Sequence, residues 1–163
     1  ITDTLYSEQM FAIDGKWDLG IGLWFELNGK LNDRNNPVAG KFETYFSLGF
    51  DYTFGIGNGL TMISEYFRYA SDPSTVGQKI RNNFSTLSLN YPVFLSHSIS
   101  GLVYYNWDTK DWYRFLNLQL KYDYLSLYLM AFWNPDQSVL FSGKDNSGLF
   151  TGKGFQLMLV LDI

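Results

Sequence analysis

The sequence predicts an all-β fold: a transmembrane antiparallel up-and-down β-barrel with eight to nine strands visible. Three observations carry that expectation. Apolar and polar residues alternate over long stretches, aromatics make up 19% of the 163 residues while charged residues make up 17%, and no apolar run approaches a membrane-spanning helix. A soluble domain has roughly a quarter of its residues charged, and a transmembrane helix needs about 20 apolar residues in a row. A mean hydropathy of -0.12 with few charges fits strands whose two faces meet different media.

The first clear element is Trp17 to Asn28. Trp17, Leu19, Ile21, Leu23, Phe25 and Leu27 share one side, and Asp18, Gly20, Gly22, Trp24, Glu26 and Asn28 share the other. Period two over such a stretch is a strand with two distinct faces. Phe42 to Phe54 repeats the pattern, Gly55 to Gly59 is a turn, and Leu60 to Tyr69 follows as the third strand. Further strands are expected at Phe84 to Val93, Ile99 to Trp107, Trp112 to Tyr122, Leu125 to Asn134 and Phe155 to Ile163. Each is about the 9–11 residues that cross a bilayer at a tilt.

Register follows from keeping faces together, because a slip of one residue moves every side chain to the wrong side. In the first hairpin Asp18 is set opposite Asp51, Leu19 opposite Phe50, Ile21 opposite Leu48, Leu23 opposite Phe46 and Glu26 opposite Glu43. In the second, Tyr52 meets Met62, Leu48 meets Tyr66 and Gly49 meets Glu65. A two-residue turn at Asp123-Tyr124 pairs Leu120 with Leu127 and Leu118 with Leu129.

The connections alternate in length. Residues 29–41, 70–82 and 135–153 are long and polar, whereas 55–59, 94–98 and 123–124 are short, and 108–111 breaks the rhythm. Long outer loops and short periplasmic turns have this rhythm in outer-membrane barrels. Trp107, Trp112 and Trp133 then fall toward the outer rim, and Trp17, Tyr52, Phe54, Tyr91, Tyr122 and Tyr124 toward the inner one, as two candidate aromatic girdles.

A ligand-binding soluble barrel also alternates, and Gly15-Lys16-Trp17 matches the short G-x-W of lipocalins. The C-terminal helix and cysteines common in that family are missing. The less apolar face carries Trp24, Tyr45, Phe115, Met130 and Phe132, which suits a crowded lumen better than bulk water. The stretch from Lys153-Gly154-Phe155 to Leu161-Asp162-Ile163 resembles the β-signal that closes outer-membrane barrels, with Ile163 where that signal ends in Phe or Trp. The hairpin Gly49-Phe50-Asp51-Tyr52 to Glu65-Tyr66 is similar to hairpins of porin-like Gram-negative barrels. The resemblance implies a bacterial outer-membrane location, contact with lipid or lipopolysaccharide, and delivery by the barrel-assembly machinery through residues 154–163. It names no substrate.

Residues 1–163 read as one domain, with 1–16 either an extra strand or a periplasmic segment. A ninth strand over Leu5 to Ile13 would turn at Asp14-Gly15, placing Ile13 opposite Trp17 and Glu8 opposite Gly22. Single-chain bacterial barrels have even strand counts. An odd count therefore favours the C-terminal portion of a larger barrel, a reading in keeping with a chain that begins at Ile1. The distinction bears on function, since eight strands leave a filled interior and sixteen or more leave an aqueous channel.

Candidate lumen-lining residues are the acids Asp18, Glu26, Glu43, Asp51 and Glu65, the base Lys121, and the aromatic group Tyr104, Phe115, Tyr128 and Phe132. Rings of carboxylates favour cations in pores; ordinary solvated or paired polar groups are the other reading. The aromatic group either guides sugars or apolar solutes or packs against a plug. A net charge of -4 argues against a nucleic-acid partner. The chain has no cysteine, and no metal-ligand spacing or phosphate loop appears, so no cofactor is expected. His97 is the one histidine and sits in a short turn, which disfavours an enzyme. The expected function is a porin-like channel for small solutes with a weak cation preference. The alternative is a non-channel structural barrel, or a subunit of a homo-oligomer or envelope complex.

Overall fold

The computed structural model describes residues 7–33, 41–72, 80–136 and 150–161. They form a single all-β sheet of nine strands in sequence order, every neighbouring pair antiparallel. The strands are β1 (Glu8–Asp18), β2 (Gly22–Asn32), β3 (Phe42–Phe54), β4 (Leu60–Ser71), β5 (Ile80–Phe94), β6 (His97–Asn106), β7 (Asp111–Lys121), β8 (Leu125–Trp133) and β9 (Lys153–Leu161). The sheet is open: β1 and β9 are its two edges, and they do not pair with each other. No described helix is long and apolar enough to cross a membrane. The first residues of the expected ninth strand, Leu5 and Tyr6, and the last of the C-terminal one, Asp162 and Ile163, lie outside the described residues.

From β3 onward the expected strands and registers recur, but β4 runs on to Ser71 and β5 starts at Ile80, so both ends of the connection expected over 70–82 are strand. Tyr52 pairs with Met62, Leu48 with Tyr66 and Gly49 with Glu65. Leu120 pairs with Leu127 and Leu118 with Leu129, closed by Tyr122 N–H donating to the Leu125 carbonyl at 2.8 Å. Gly57 (φ 58°) and Gly59 (φ 98°) occupy left-handed conformations in the β3–β4 turn, where glycine carries no steric penalty. That turn also braces its neighbour. The Asn58 amide donates to the carbonyls of Pro92 and Val93 at 3.0 and 2.9 Å, at the register shift that accommodates a proline inside β5.

The N-terminal part differs from expectation. The stretch from Trp17 to Asn28 is not one strand, because the chain reverses at Leu19-Gly20-Ile21 with Gly20 at φ 83°. Trp17 pairs with Leu23 across this turn. Both keep the same face, so the alternation runs through the reversal without a visible break. The expected turn at Asp14-Gly15 is therefore strand, Ile13 meets Leu27 rather than Trp17, and Glu8 meets Asn32 rather than Gly22. The β2–β3 register moves by an even number of residues: Gly22 meets Asp51, Leu23 meets Phe50, Phe25 meets Leu48 and Leu27 meets Phe46. Faces are preserved and heights change.

The two faces are unlike. One, the apolar face, presents Leu23, Phe50, Leu87, Leu116, Leu129 and Leu159 to the exterior. On β9 this face is bare, with Phe155 83% and Leu161 71% exposed. The other, the polar face, holds the most buried side chains, among them Tyr113, Phe132, Ser47, Ser71 and Ser126. A flat sheet would bury both faces alike, so this asymmetry means that the sheet curls with its polar face inside. Soluble proteins bury the opposite set.

Cross-strand glycines let the rings lie flat on the sheet. Phe11 covers Gly29, Phe25 covers Gly15, Trp24 covers Gly49 and Phe132 covers Gly154, each a directly opposed pair. A Cβ at any of these glycines would collide with the ring above it. Such aromatic cover compensates for the weakness of glycine in a strand.

Candidate functional site: the polar face of the sheet

The register sets the polar face out in rows. Asp18, Gly22, Asp51 and Ile63 form the row beside the β1–β2 turn. Lys16, Trp24, Gly49 and Glu65 form the next, then Asp14, Glu26, Ser47 and Phe67. Acids thus gather on β1 to β4 toward the short-turn end. Asp14, Lys16, Trp24, Glu26 and Asp51 border one groove there. Gly22 gives the Asp51 carboxylate its room, since a side chain at 22 would occupy the same space.

These acids are held by hydrogen bonds more than by bases. The Ser47 hydroxyl donates to Glu65 at 2.5 Å. Near the other end, Glu43 accepts from the Asn32 amide and the Tyr45 hydroxyl, each at 3.0 Å. The Lys30 ammonium contacts Glu8 at 2.8 Å, the one ion pair among the described residues. Paired β-strand neighbours of like charge repel, and Asp14 opposite Glu26 is such a pair. That arrangement leaves a local excess of negative charge on one part of the face.

β5 to β9 carry a different surface. Tyr104 packs at a tilt against Phe84 at 5.0 Å and meets Tyr113 edge-on at 5.7 Å. Phe150, from the connection before β9, drops onto the sheet and contacts Phe115 at 6.0 Å and Phe132 at 5.6 Å. Its backbone is pinned by the Asn134 side chain, whose amide donates to the Phe150 carbonyl at 2.7 Å while its oxygen accepts the Arg114 N–H at 3.0 Å. A hollow bounded by Ser88, Ser100, Phe115, Asn117, Met130 and Phe150 opens beside it.

All ten candidate residues share this face. Asp18, Glu26, Glu43, Asp51 and Glu65 lie on β1 to β4, and Tyr104, Phe115, Lys121, Tyr128 and Phe132 on β6 to β8. Two expected pairings do not occur. Asp18 and Asp51 are separated by Gly22, and Glu26 faces Ser47 and Asp14 rather than Glu43. Glu43 instead stands opposite Lys30. The cause is the Gly20 reversal, which moves β2 along β3. Asp14 and Phe150 are participants that the sequence reading did not single out. Asp14 falls in the turn expected at Asp14-Gly15, and Phe150 lies within a long connection with no periodicity to place it.

His97 opens β6 between Phe94 and Tyr122, with ring centroids at 6.0 and 5.2 Å. Its Nδ1 accepts the Lys121 backbone N–H at 3.1 Å, tying two adjacent short turns together. Among the described residues no group of His, Asp or Glu has the arrangement of a metal site.

No protein-family model, no curated protein and no solved structure matches this chain.

Proposed function

We propose that the sheet is part of the wall of a bacterial outer-membrane β-barrel that passes small solutes, with a weak preference for cations. The observation that carries this reading is the separation of charge between faces. The acids of the sheet lie on the inward, polar face, while the outward face is mostly Leu, Phe, Ile and aromatic side chains, with its few bases near the long-connection rim. An exposed apolar surface of that extent has no stable place in water, and strands with lipid-facing and lumen-facing sides alternate in this way. Tyr105, Trp107, Trp112 and Trp133 at the long-connection end, and Trp17, Tyr52 and Tyr122 at the other, suit the two headgroup layers. β9, with its bare apolar face, is the strand through which the assembly machinery would receive the chain.

An odd number of antiparallel strands leaves β1 and β9 running in the same direction. All-antiparallel closure then needs an odd number of further strands, from the same polypeptide or from another copy. A wider barrel of that kind has room for a water-filled lumen. The second reading, a filled structural barrel, is favoured by one observation: Phe150 lies on the polar face against Phe115 and Phe132.

Planar-bilayer recording tests the first reading. Full-length protein is expected to give discrete current steps and a reversal potential on the cation side in a salt gradient. Replacing Asp14, Glu26 and Asp51 together by their amides should move that potential toward anions. Correctly folded protein that carries no current would leave the structural barrel standing.

A further inference from the structure

Among the described strand residues, the charges on the apolar face are few, and all are basic. Arg68, Arg81, Arg114 and Lys153 lie on that face, each within four residues of the strand end that carries the long connections. All four are exposed. The acids of the strands, Asp14, Glu26, Glu43, Asp51 and Glu65 among them, are on the opposite face. The single described ion pair, Lys30 with Glu8, is on that opposite face too. Asp108, at the same rim, spends its carboxylate on the backbone N–H and side-chain amide of Asn83, at 2.6 Å for the first.

The bases form two groups. Arg81 stands opposite Ala70, and Arg68 opposite the next outward-facing residue along β5, Asn83. Thr44, Phe46, Arg68 and Ala70 bound a groove in which small side chains leave space beside the guanidinium. Three strands from β4, Arg114 lies 5.5 Å from the Trp112 ring centroid, and it shares a row with Trp133 and Lys153. At about 4.8 Å per strand, the groups are about 10–15 Å apart. Each sits above an apolar surface and beside aromatic rings. An acyl chain would lie along that surface, leaving its headgroup level with the bases.

The geometry points to a site for lipids whose phosphate headgroup carries net negative charge, held at the long-connection rim by Arg68 with Arg81 and by Arg114 with Lys153. Arginine forks match phosphate oxygens in two-point hydrogen bonds, and lysine adds a point charge. Among the described residues, the strands carry no Arg or Lys on the apolar face at the short-turn end; His97, whose Nδ1 accepts the Lys121 backbone N–H, is the one basic side chain there. The protein therefore discriminates between leaflets: anionic phospholipid is retained beside the long connections and not at the opposite rim. The inference rests on the membrane reading above.

The test is quenching of tryptophan fluorescence by spin-labelled lipids in phosphatidylcholine vesicles holding the full chain. The probes are labelled phosphatidic acid and labelled phosphatidylcholine. Trp107, Trp112 and Trp133 report from the relevant rim. Labelled phosphatidic acid is expected to quench at a several-fold lower membrane fraction than labelled phosphatidylcholine, on the basis of about fivefold per nearby base. The advantage should shrink in Arg68→Gln/Arg81→Gln and in Arg114→Gln/Lys153→Gln, and persist in Arg68→Lys/Arg81→Lys. Lys30→Gln, on the other face, should leave it unchanged. Equal quenching by the two probes in the unaltered protein overturns the lipid site while keeping the membrane reading. Quenching by neither overturns the membrane reading itself. Loss of the advantage on adding millimolar inorganic phosphate overturns the lipid in favour of the free anion.

Discussion

Gly49 and Gly154 are where single side chains decide the local packing, because the rings of Trp24 and Phe132 occupy the space a Cβ would fill. Gly49→Val should destabilise the protein by about 1–3 kcal/mol, the usual cost of overpacking. Made together with Trp24→Ala, it should cost much less than the sum, since the obstructing ring is gone. Urea unfolding followed by fluorescence measures both, and additive losses would show that the ring and the glycine act independently. Phe150 has its own consequence. Its two edge-on contacts are worth about 0.5–1.5 kcal/mol each, so Phe150→Ala should lower thermal stability modestly. In the channel reading it should also raise single-channel conductance. Unchanged conductance would place this ring away from the solute path.

At the scale of the strand, β7 offers a direct comparison of the two faces. Leu116 points to the apolar face, between Gly101 and Ala131, and Asn117 points to the polar one, opposite Ser100 and Met130. In a lipid-facing strand, arginine near mid-membrane costs about 2–4 kcal/mol. Leu116→Arg should therefore block assembly or lower stability by that amount, while Asn117→Arg should be tolerated. Equal tolerance, measured by folding yield into vesicles and by denaturant titration, would mean that the apolar face does not meet lipid. The strand is also the scale at which sequence reading worked best and failed most clearly. The hairpins at Asp123-Tyr124 and Gly55 to Gly59 announce themselves, because their turn residues interrupt the alternation. The reversal at Gly20 does not, because Leu19 and Ile21 are apolar and keep the parity of Trp17 and Leu23. Period two is blind to a turn that returns the chain on the same face.

For the whole molecule, the parity of the strands is the controlling fact. β1 and β9 run in the same direction, so closing these nine strands on themselves would need a parallel seam. Cysteine pairs placed across the edges, with Ala12 or Ile13 against Leu157 or Met158, are expected to stay reduced under oxidation in the membrane. A pair across β2 and β3, at Leu27 and Phe46, should oxidise readily as the positive control. A disulfide across β1 and β9 would mean a nine-stranded barrel with a parallel seam and no need of further strands.

The opening expectation of an antiparallel meander with two unlike faces was determined by the sequence alone. So was the common face of the ten candidate residues. Both depend only on residue parity, which a primary sequence displays directly. The tertiary structure decided heights and neighbours. It put Asp14 beside Glu26, separated Asp18 from Asp51 by a glycine, brought Phe150 down onto Phe115 and Phe132, and left both sheet edges open. These depend on where the chain reverses and how far each strand slides along the next. An even slide leaves every face unchanged, so hydrophobic pattern cannot sense it; only the hydrogen-bonded register can.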